Sequence, residues 1–183
     1  PLSHSTLFFP SSTPRAIPPT TNPTNQSHNQ LRRYSACLDI FALRPTRPHR
    51  ELGDIAAFLA AVAPSFPSSR AAQALPRDLA KLLSSPAAAS MDPPLRLALA
   101  KSLMLLRNRG VIAAEELLPL WVGCLRLKDK NLRKLVCNHL VADVKRSNSK
   151  RRDDRLNRAA QAALGHSAAF DESSAAARAS LGL

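Results

Sequence analysis

Residues Asp92–Lys150 read DPPLRLALAKSLMLLRNRGVIAAEELLPLWVGCLRLKDKNLRKLVCNHLVADVKRSNSK, and this stretch alone predicts three helices. Asp92 takes an N-cap position, and Pro93 follows at the first helical position, where its missing N–H costs nothing. Apolar residues then recur at helical spacing as far as Gly110, the residue type best suited to the left-handed conformation after a helix. The first helix is therefore predicted over about Pro93–Arg109, with apolar residues on most sides, as in a helix packed between neighbours.

Two more helices follow within the same stretch. One is predicted over about Ala114–Arg126, with two glutamates in its first turn, where the helix dipole favours negative charge. Pro119 lies inside it and requires either a start one turn later or a kink. Asp129 is predicted to cap the third helix. Its apolar face consists of Leu132, Leu135, Val136, Leu140 and Val144.

Helical patterns also flank this stretch. Glu51–Ala63 places its large apolar residues on one face and ends before Pro64. A connector precedes a short helix predicted over Pro76–Leu83, and Asp153–Leu164 is predicted to form a helix after the third one. Asp171 is predicted to cap a last helix. No period of two typical of β-strands occurs, so the fold class is all-α.

The predicted N-caps Asp92, Asp129 and Asp171 are 37 and 42 residues apart. A helix pair inside each interval is typical of an α-solenoid of the HEAT or armadillo kind. A compact helical bundle could give the same spacing. We favour the solenoid, in which each helix pair stacks on the next.

Residues 1–50 differ in composition from the rest of the chain. They hold eight of the fifteen prolines, many Ser, Thr and Asn residues, six arginines and a single acid, Asp39. Such a composition predicts a disordered leader, with a helical domain over residues 51–183. An acid-poor leader with Arg and Ser also resembles an organelle transit peptide. Because the chain starts with proline and ends at Leu183 inside a predicted helix, we expect a fragment of a longer protein.

The formal net charge of +13 predicts a strongly anionic partner, nucleic acid first and an anionic membrane surface second. No apolar run reaches the roughly 18 residues that a bilayer span needs, so we predict no membrane-spanning helix. Cys37, Cys124 and Cys137 have no C-x-x-C spacing and are predicted to be reduced thiols of an intracellular protein.

His139 and Asp143 are four residues apart on the predicted third helix, within its apolar stripe. A carboxylate that orients an imidazole is the arrangement of an acid–base dyad. The alternative is a buried, structural polar pair that hydrogen-bonds a neighbouring helix through Asn108 or Arg107. We favour the structural pair, because the sequence supplies no nucleophile, oxyanion hole or phosphate-binding glycine loop. Neither catalysis nor a metal or cofactor is predicted.

Basic residues concentrate between Lys128 and Arg158, where the formal charge is +7 over 31 residues. This cluster is either a solvated helix end with its loop or a surface that contacts phosphates. Few aromatic residues are available for base stacking, and KRSNSKRR could also serve as a nuclear import signal. The candidate contacts with nucleic acid or a protein partner are Arg133, Lys134, Lys145, Arg146, Lys150, Arg151, Arg152, Arg155 and Arg158.

Three segments of the chain resemble the Sda family of nucleolar proteins, named for severe depolymerisation of actin. They are LRLALAKSLMLLRNRG (Leu95–Gly110), LLPLW (Leu117–Trp121) and LRLKDKNLRKLVCNHLVADVKRSNSK (Leu125–Lys150). The helix at Leu52–Pro67 and the Asn-Arg-x-x-Gln segment within Leu156–Ala163 are similar to the family as well, so the resemblance covers about residues 51–180.

The resemblance implies a non-enzymatic, helical-repeat factor of the nucleolus and nucleus that matures and exports the large (60S) ribosomal subunit. Its implied partners are pre-60S particles, with neither a membrane nor a small-molecule substrate, and the family is also associated with protein transport and the actin cytoskeleton. Matching positions, with an implied role in structure or partner contact, are Arg107, Asn108, Arg109, Asp129, Lys130, Arg133, Lys134, His139, Asp143, Lys145 and Lys150.

Two departures from the family pattern limit this interpretation. Residues 1–50 do not resemble the family's N-terminal region, and alanines replace the large apolar residues expected after Arg155. A different class of function stays open, that of an α-solenoid adaptor in nuclear protein transport that binds helices or acidic segments without RNA contact. A third interpretation is an organellar protein whose residues 1–50 are a transit peptide.

Overall fold

Seven helices make up the part of the chain that the structure describes. The computed structural model describes residues 23–149 and 152–170, with side chains over 29–149 and 152–165. The helices are α1 (Pro23–Leu43), α2 (Arg50–Val62), α3 (Arg70–Ser84), α4 (Pro93–Asn108), α5 (Ala114–Arg126), α6 (Lys130–Ser147) and α7 (Asp154–Phe170). Short 3₁₀ turns lie at Ala63–Ser65 and Pro86–Ala89, and these residues contain no strand. The prediction of an all-α fold is confirmed.

The helices from α2 onward alternate between two layers. Helices α2, α4 and α6 lie side by side in one layer, while α3, α5 and α7 form the other. Consecutive helices pack across the layers, as α3 does on α4 and α5 on α6, and α1 extends the first layer by packing on α2. Each helix thus contacts its near neighbours in sequence, which is the stacking of an α-solenoid. The prediction of a HEAT-like helical repeat is confirmed.

Apolar side chains from every helix meet between the two layers. The largest ones that are almost fully buried are Trp121, Leu52, Leu79, Met91, Leu99, Leu103, Leu106, Leu117, Leu125, Leu132, Leu156 and Val136. Helix α4 packs against α2, α3 and α6, so it is buried on several sides, as its apolar wheel predicts. Gly53 lets α2 approach α4 closely, because a Cβ at this position would lie 3.1 Å from that of Ala98.

The end signals of α4 and α6 act largely as the sequence predicts. Gly110 has a φ of 74°. The N–H groups of Gly110 and Val111 donate to the carbonyls of Arg107 and Leu106, both at 3.0 Å, which is a Schellman motif. Asp129 caps α6 through its side chain, whereas Asp92 stands at the N-cap position of α4 without such a hydrogen bond. Asp171, the third predicted cap, lies outside the described residues.

Replacing Gly110 by alanine should lower the free energy of unfolding by about 1–2 kcal/mol, the cost of a left-handed conformation for a residue with a Cβ. Nothing lies within 4 Å of the position of that Cβ, so backbone strain alone accounts for the loss. Gly123 is the matched control, since it lies inside α5 and has equally open surroundings. Gly123→Ala should stabilise the protein by roughly 0.5–1 kcal/mol. Urea unfolding measures both, and an equal response of the two variants would contradict the assigned conformation.

The structure differs from the prediction of a disordered leader over residues 1–50. Residues 23–43 form α1, whose Tyr34, Cys37 and Phe41 are buried against α2, and residues 1–22 lie outside the described residues. The prediction was wrong for α1 because the composition of the whole segment hid a window without proline between Pro23 and Pro45. Tyr34, Cys37 and Phe41 have the spacing of one helix face. The helical domain therefore includes α1.

Two prolines lie inside helices and not in the first turn, whereas Pro64 follows the end of α2 as predicted. Helix α3 begins at Arg70 and continues through Pro76, so the predicted start at Pro76 and the connector before it were wrong. Leu75 and Pro76 are both buried, and this packing offsets the backbone hydrogen bond that the proline removes. Helix α5 likewise begins at Ala114 and holds Pro119 inside it, so of the two alternatives the later start is excluded.

Candidate functional site

A buried ion pair joins the N-terminal end of α6 to α4. Arg96 donates through Nη1 to Oδ2 of Asp129 at 3.0 Å, and the two side chains are 5% and 8% exposed. Nη2 of Arg96 donates to the carbonyl oxygens of Met91 and Ala89, at 2.6 and 3.2 Å. Oδ1 of Asp129 accepts from the N–H of Leu132 at 3.0 Å. One carboxylate therefore caps α6 and neutralises the buried guanidinium.

A second charged cluster joins the C-terminal end of α6 to α4. Nε of Arg107 donates to Oδ2 of Asp143 at 3.0 Å, and Nη1 of Arg146 lies 3.5 Å from Oδ1 of the same carboxylate. Nη1 of Arg146 also donates to Oδ1 of Asn108 at 2.6 Å. Arg107 is one of the two partners that the sequence analysis expected for Asp143. Polar contacts therefore hold α4 and α6 together near both ends of α6.

His139 is buried on the same face of α6 as Asp143 but does not pair with it. Its ring packs edge-on against Trp121, with centroids 5.6 Å apart, and its Nε2 has no hydrogen-bond partner among the described residues. Burial lowers the pKa of His139; the Asp143 carboxylate opposes this, while Arg146 and Arg107 add to it. The imidazole is therefore neutral at pH 7. Since arginines engage both oxygens of Asp143, the geometry supports a structural role for both residues and not an acid–base dyad.

Acidification should destabilise the fold through His139. Because the folded-state pKa is below the ordinary 6.5, the unfolded chain binds the proton first as pH falls through 6.5. Stability is then lost from that pH downward until the folded state also titrates. We expect His139→Gln to lose less stability than the wild type between pH 7.5 and 5, measured by urea unfolding, and His49→Gln to serve as the control. If the stability of His139→Gln falls with pH as steeply as that of the wild type, the pH dependence belongs to other groups.

Amide side chains fasten the connection between α6 and α7. Asn148 and Asn157 exchange hydrogen bonds, Nδ2 to Oδ1, at 2.9 and 3.1 Å. Oδ1 of Asn148 also accepts from the N–H of Asp153 at 2.8 Å, and Oδ1 of Asp153 accepts from the N–H of Leu156 at 3.0 Å, which caps α7. The two ends of a strongly basic connection are thus held close together.

The predicted contact residues differ in whether an acidic side chain pairs with their charge. Lys134, Lys145 and Arg158 are exposed and have no ion pair among the described residues. Lys150 and Arg151 lie outside the described residues. Lys145 lies in the last turn of α6 and Arg158 in the second turn of α7, so these two exposed cations flank the connection between the helices in the sequence.

Two arginines of the predicted set are exposed but have acidic neighbours. Nε of Arg152 lies 2.6 Å from Oδ1 of Asp154, and Nε of Arg155 lies 3.5 Å from Oε1 of Glu115 on α5. The arginine side chains are 81% and 84% exposed, so both pairs are open to solvent and contribute little to stability. Both guanidinium groups can exchange these partners for phosphates or for carboxylates of another molecule.

Two other members of the predicted set have structural partners. Nη1 of Arg133 donates at 2.6 Å to the carbonyl of Leu127, at the C-terminal end of α5, and its side chain is partly buried. Arg146 belongs to the cluster around Asp143. Arg133 therefore links α6 to the end of α5 through a carbonyl that also accepts from the N–H of Asp129 at 2.8 Å. Sequence reasoning missed this role because the position of a side chain along a helix does not show which neighbouring turn it reaches.

A groove of about 370 Å³ separates α6 from α7, which both pack on α5. Apolar residues line most of it, and Lys145 and Arg152 stand at its edge. The apolar residues are Leu140, Val141, Val144, Ala160 and Leu164. A groove of this kind, with basic groups beside it, suits an amphipathic helix.

The metal-ligating side chains in the described part of the chain are scattered, and its cysteines are unreactive at neutral pH. No three His, Cys, Asp or Glu side chains within it are placed to hold a metal ion. Cys37, Cys124 and Cys137 are unpaired, and burial raises the pKa of each thiol, that of Cys124 to about 12. Such thiols are protonated at neutral pH and are poor nucleophiles.

Among the described helices, none combines the length and the hydrophobicity that crossing a bilayer requires.

The sequence of the chain is similar to one family of proteins. A family described as "SDA1, HEAT repeat" matches residues 58–183. The protein SDA1 homolog of Drosophila melanogaster is 36% identical over 139 residues, which are 76% of this chain and 19% of that protein. Those of Xenopus tropicalis and Dictyostelium discoideum are 37% and 34% identical, over 70% and 72% of this chain and 18% and 17% of their own lengths. The chain thus spans about a fifth of the length of the curated relatives it matches.

Proposed function

Because the chain belongs to the SDA1 family, whose HEAT-repeat region it matches, we propose that it works in the biogenesis of the large (60S) ribosomal subunit. It acts there as a non-enzymatic factor that supports maturation and nuclear export of the subunit. Its place of action is the nucleus and nucleolus, and its partners are pre-60S particles, through their RNA or their assembly factors. The names of the relatives state only the family, so the ribosomal role is the proposal.

The observation that carries this proposal is the basic surface around the connection between α6 and α7. Lys145, Arg152, Arg155 and Arg158 are exposed within a chain of net charge +13. Cations that can leave their present neighbours are suited to phosphate contacts, which supply affinity and salt dependence but no sequence readout. A helical-repeat scaffold with such a surface is suited to binding a large anionic partner.

Depletion of the protein in growing cells tests the proposal. We expect large-subunit precursors to accumulate in the nucleus, followed by a fall in mature large subunits, while small-subunit export continues. A reporter on each subunit supplies the internal control, and re-expression of the complete protein should restore export. Normal large-subunit export after depletion, or equal retention of both subunits, would refute the assignment.

The groove between α6 and α7 favours a second candidate function, an α-solenoid adaptor in nuclear protein transport. Its apolar residues and the adjacent Lys145 and Arg152 suit a helix with acidic groups along one side. Peptide binding that withstands high salt would support the adaptor, because burial of apolar surface is little affected by screening. Binding to RNA that weakens steeply with salt would support the ribosomal role.

A further inference from the structure

The outward face of α6 carries lysines and no acid. Lys130, Lys134 and Lys145 are all exposed, and at 100° per residue they fall within an arc of about 60°. The core-facing side of the helix holds Val136 and Asp143, roughly opposite to them. With a rise of 1.5 Å per residue, the three lysines extend over about 22 Å along the helix. We call these three residues the α6 lysine face.

The helix dipole favours only one of these charges, that of Lys145 in the last turn of α6. The first turn of α6 contains no acidic residue, and Lys130 stands at its first position, where the helix dipole disfavours a cation. The single acid in α6 is Asp143, which is buried and held by Arg107 and Arg146. An ordinary solvated helix mixes acids and bases four residues apart. The three lysines have no ion pair among the described residues, so their charge is available to a partner.

The chemistry of this face selects the class of partner. Protein interfaces are depleted in lysine and anchored by aromatic residues, and no aromatic residue lies in α6. Binding to single-stranded nucleic acid also relies on aromatic side chains that stack on bases. Double-stranded RNA, by contrast, is recognised through its shape and its phosphates. Between Lys134 and Lys145 the exposed arc presents Asn138, which can donate a hydrogen bond to the same backbone.

We infer that the α6 lysine face binds the phosphate backbone of a double-stranded RNA segment that lies along the axis of α6. Lys145 also stands at the groove beside Arg152, so the contact surface continues onto the start of α7. This inference deepens the proposed function and rests on it for the source of the duplex, which is an RNA helix of the ribosomal precursor. Among the sequence-based predictions, Lys130 was named as a position that matches the family but was not one of the nine candidate contacts.

The test compares two triple variants of the complete protein that carries this chain. The face variant is Lys130→Gln/Lys134→Gln/Lys145→Gln. Its matched control, Arg70→Gln/Arg77→Gln/Lys81→Gln, removes the same charge from exposed positions of α3, in the other layer. Fluorescence anisotropy with a 20-base-pair RNA duplex measures affinity between 50 and 300 mM salt, and circular dichroism checks that both variants are folded.

We expect the affinity of the face variant for the duplex at low salt to be at least about tenfold lower than that of the wild type. Its plot of log affinity against log salt should become shallower by about 2–3, close to one for each phosphate that the variant no longer binds. The affinity of the control variant should fall by less than about threefold. An equal loss of affinity in the two variants would mean that RNA binding depends on the net charge of the protein and not on this face, and would overturn the inference. So would a preference for single-stranded over duplex RNA of equal length, or an unchanged affinity of the face variant.

Separate readouts distinguish this inference from the proposed function. If the face variant binds duplex RNA as the wild type does and depletion still blocks large-subunit export, the inference fails and the function stands. If the face variant loses duplex binding but depletion leaves export normal, the RNA contact is supported and its assignment to the ribosomal precursor is refuted. Binding of the face to an acidic protein with no affinity for RNA would overturn the inference as well.

Discussion

Replacing Asp129 with alanine should lower the free energy of unfolding by about 3–5 kcal/mol, because it leaves the guanidinium of Arg96 buried without its counter-charge. The two side chains are 5% and 8% exposed, so solvent cannot replace the missing carboxylate without rearrangement. The same change removes the cap of α6 at the N–H of Leu132, which adds about 1 kcal/mol to the loss. Urea unfolding followed by circular dichroism measures the effect.

Asp129→Asn separates the two contributions. The amide oxygen can still accept from the N–H of Leu132, but Arg96 loses its negative partner, so most of the destabilisation should persist. Asp54→Ala is the matched control, since Asp54 is exposed on α2, and its change should stay within about 0.5 kcal/mol. An Asp129→Asn variant as stable as the wild type would mean that the pair with Arg96 contributes nothing beyond the cap.

Replacing Trp121 with alanine should lower the free energy of unfolding by about 3–5 kcal/mol, the range for truncating a large buried aromatic residue. Trp121 is 2% exposed and lies on α5 against the ring of His139 on α6, so its loss opens a cavity between the two helices. Phe66→Ala is the control for an aromatic change at a 37% exposed position, and its loss should be less than half as large.

Circular dichroism is the appropriate probe for Trp121→Ala, since Trp121 is the single tryptophan of the chain. A loss in Trp121→Ala no greater than that in Phe66→Ala would contradict the burial of Trp121. It would then mean that α5 and α6 do not pack through this residue.

Local signals made α4 and α6 predictable from the sequence. Pro93 and Gly110 mark the two ends of α4 by their own backbone preferences, and Asp129 caps α6 through a neighbour three residues away. Each of these signals acts within a few residues, so a single sequence displays it. The predicted N-cap positions, at intervals near 40 residues, favoured the solenoid over a compact bundle that could give the same spacing.

Contacts between residues far apart in the sequence could not be predicted from the sequence alone. Arg96 looks like a surface residue on a helical wheel, and only the fold brings it to Asp129, 33 residues later. Arg133 has the composition of a contact residue but reaches the carbonyl of Leu127 at the end of the preceding helix. Lys130 lies within the basic cluster but was not among its candidate contacts, and its alignment with Lys145 depends on the helical turn.

Sedimentation of the complete protein tests the central claim most directly. Tagged protein from growing cells is separated on a density gradient, and the fractions are probed for RNA precursors of the large and small subunits. We predict that it co-sediments with large-subunit precursors and is recovered with their RNA, and that small-subunit precursors are not enriched. A folded, expressed protein that stays at the top of the gradient, free of large-subunit precursor RNA, would contradict the account.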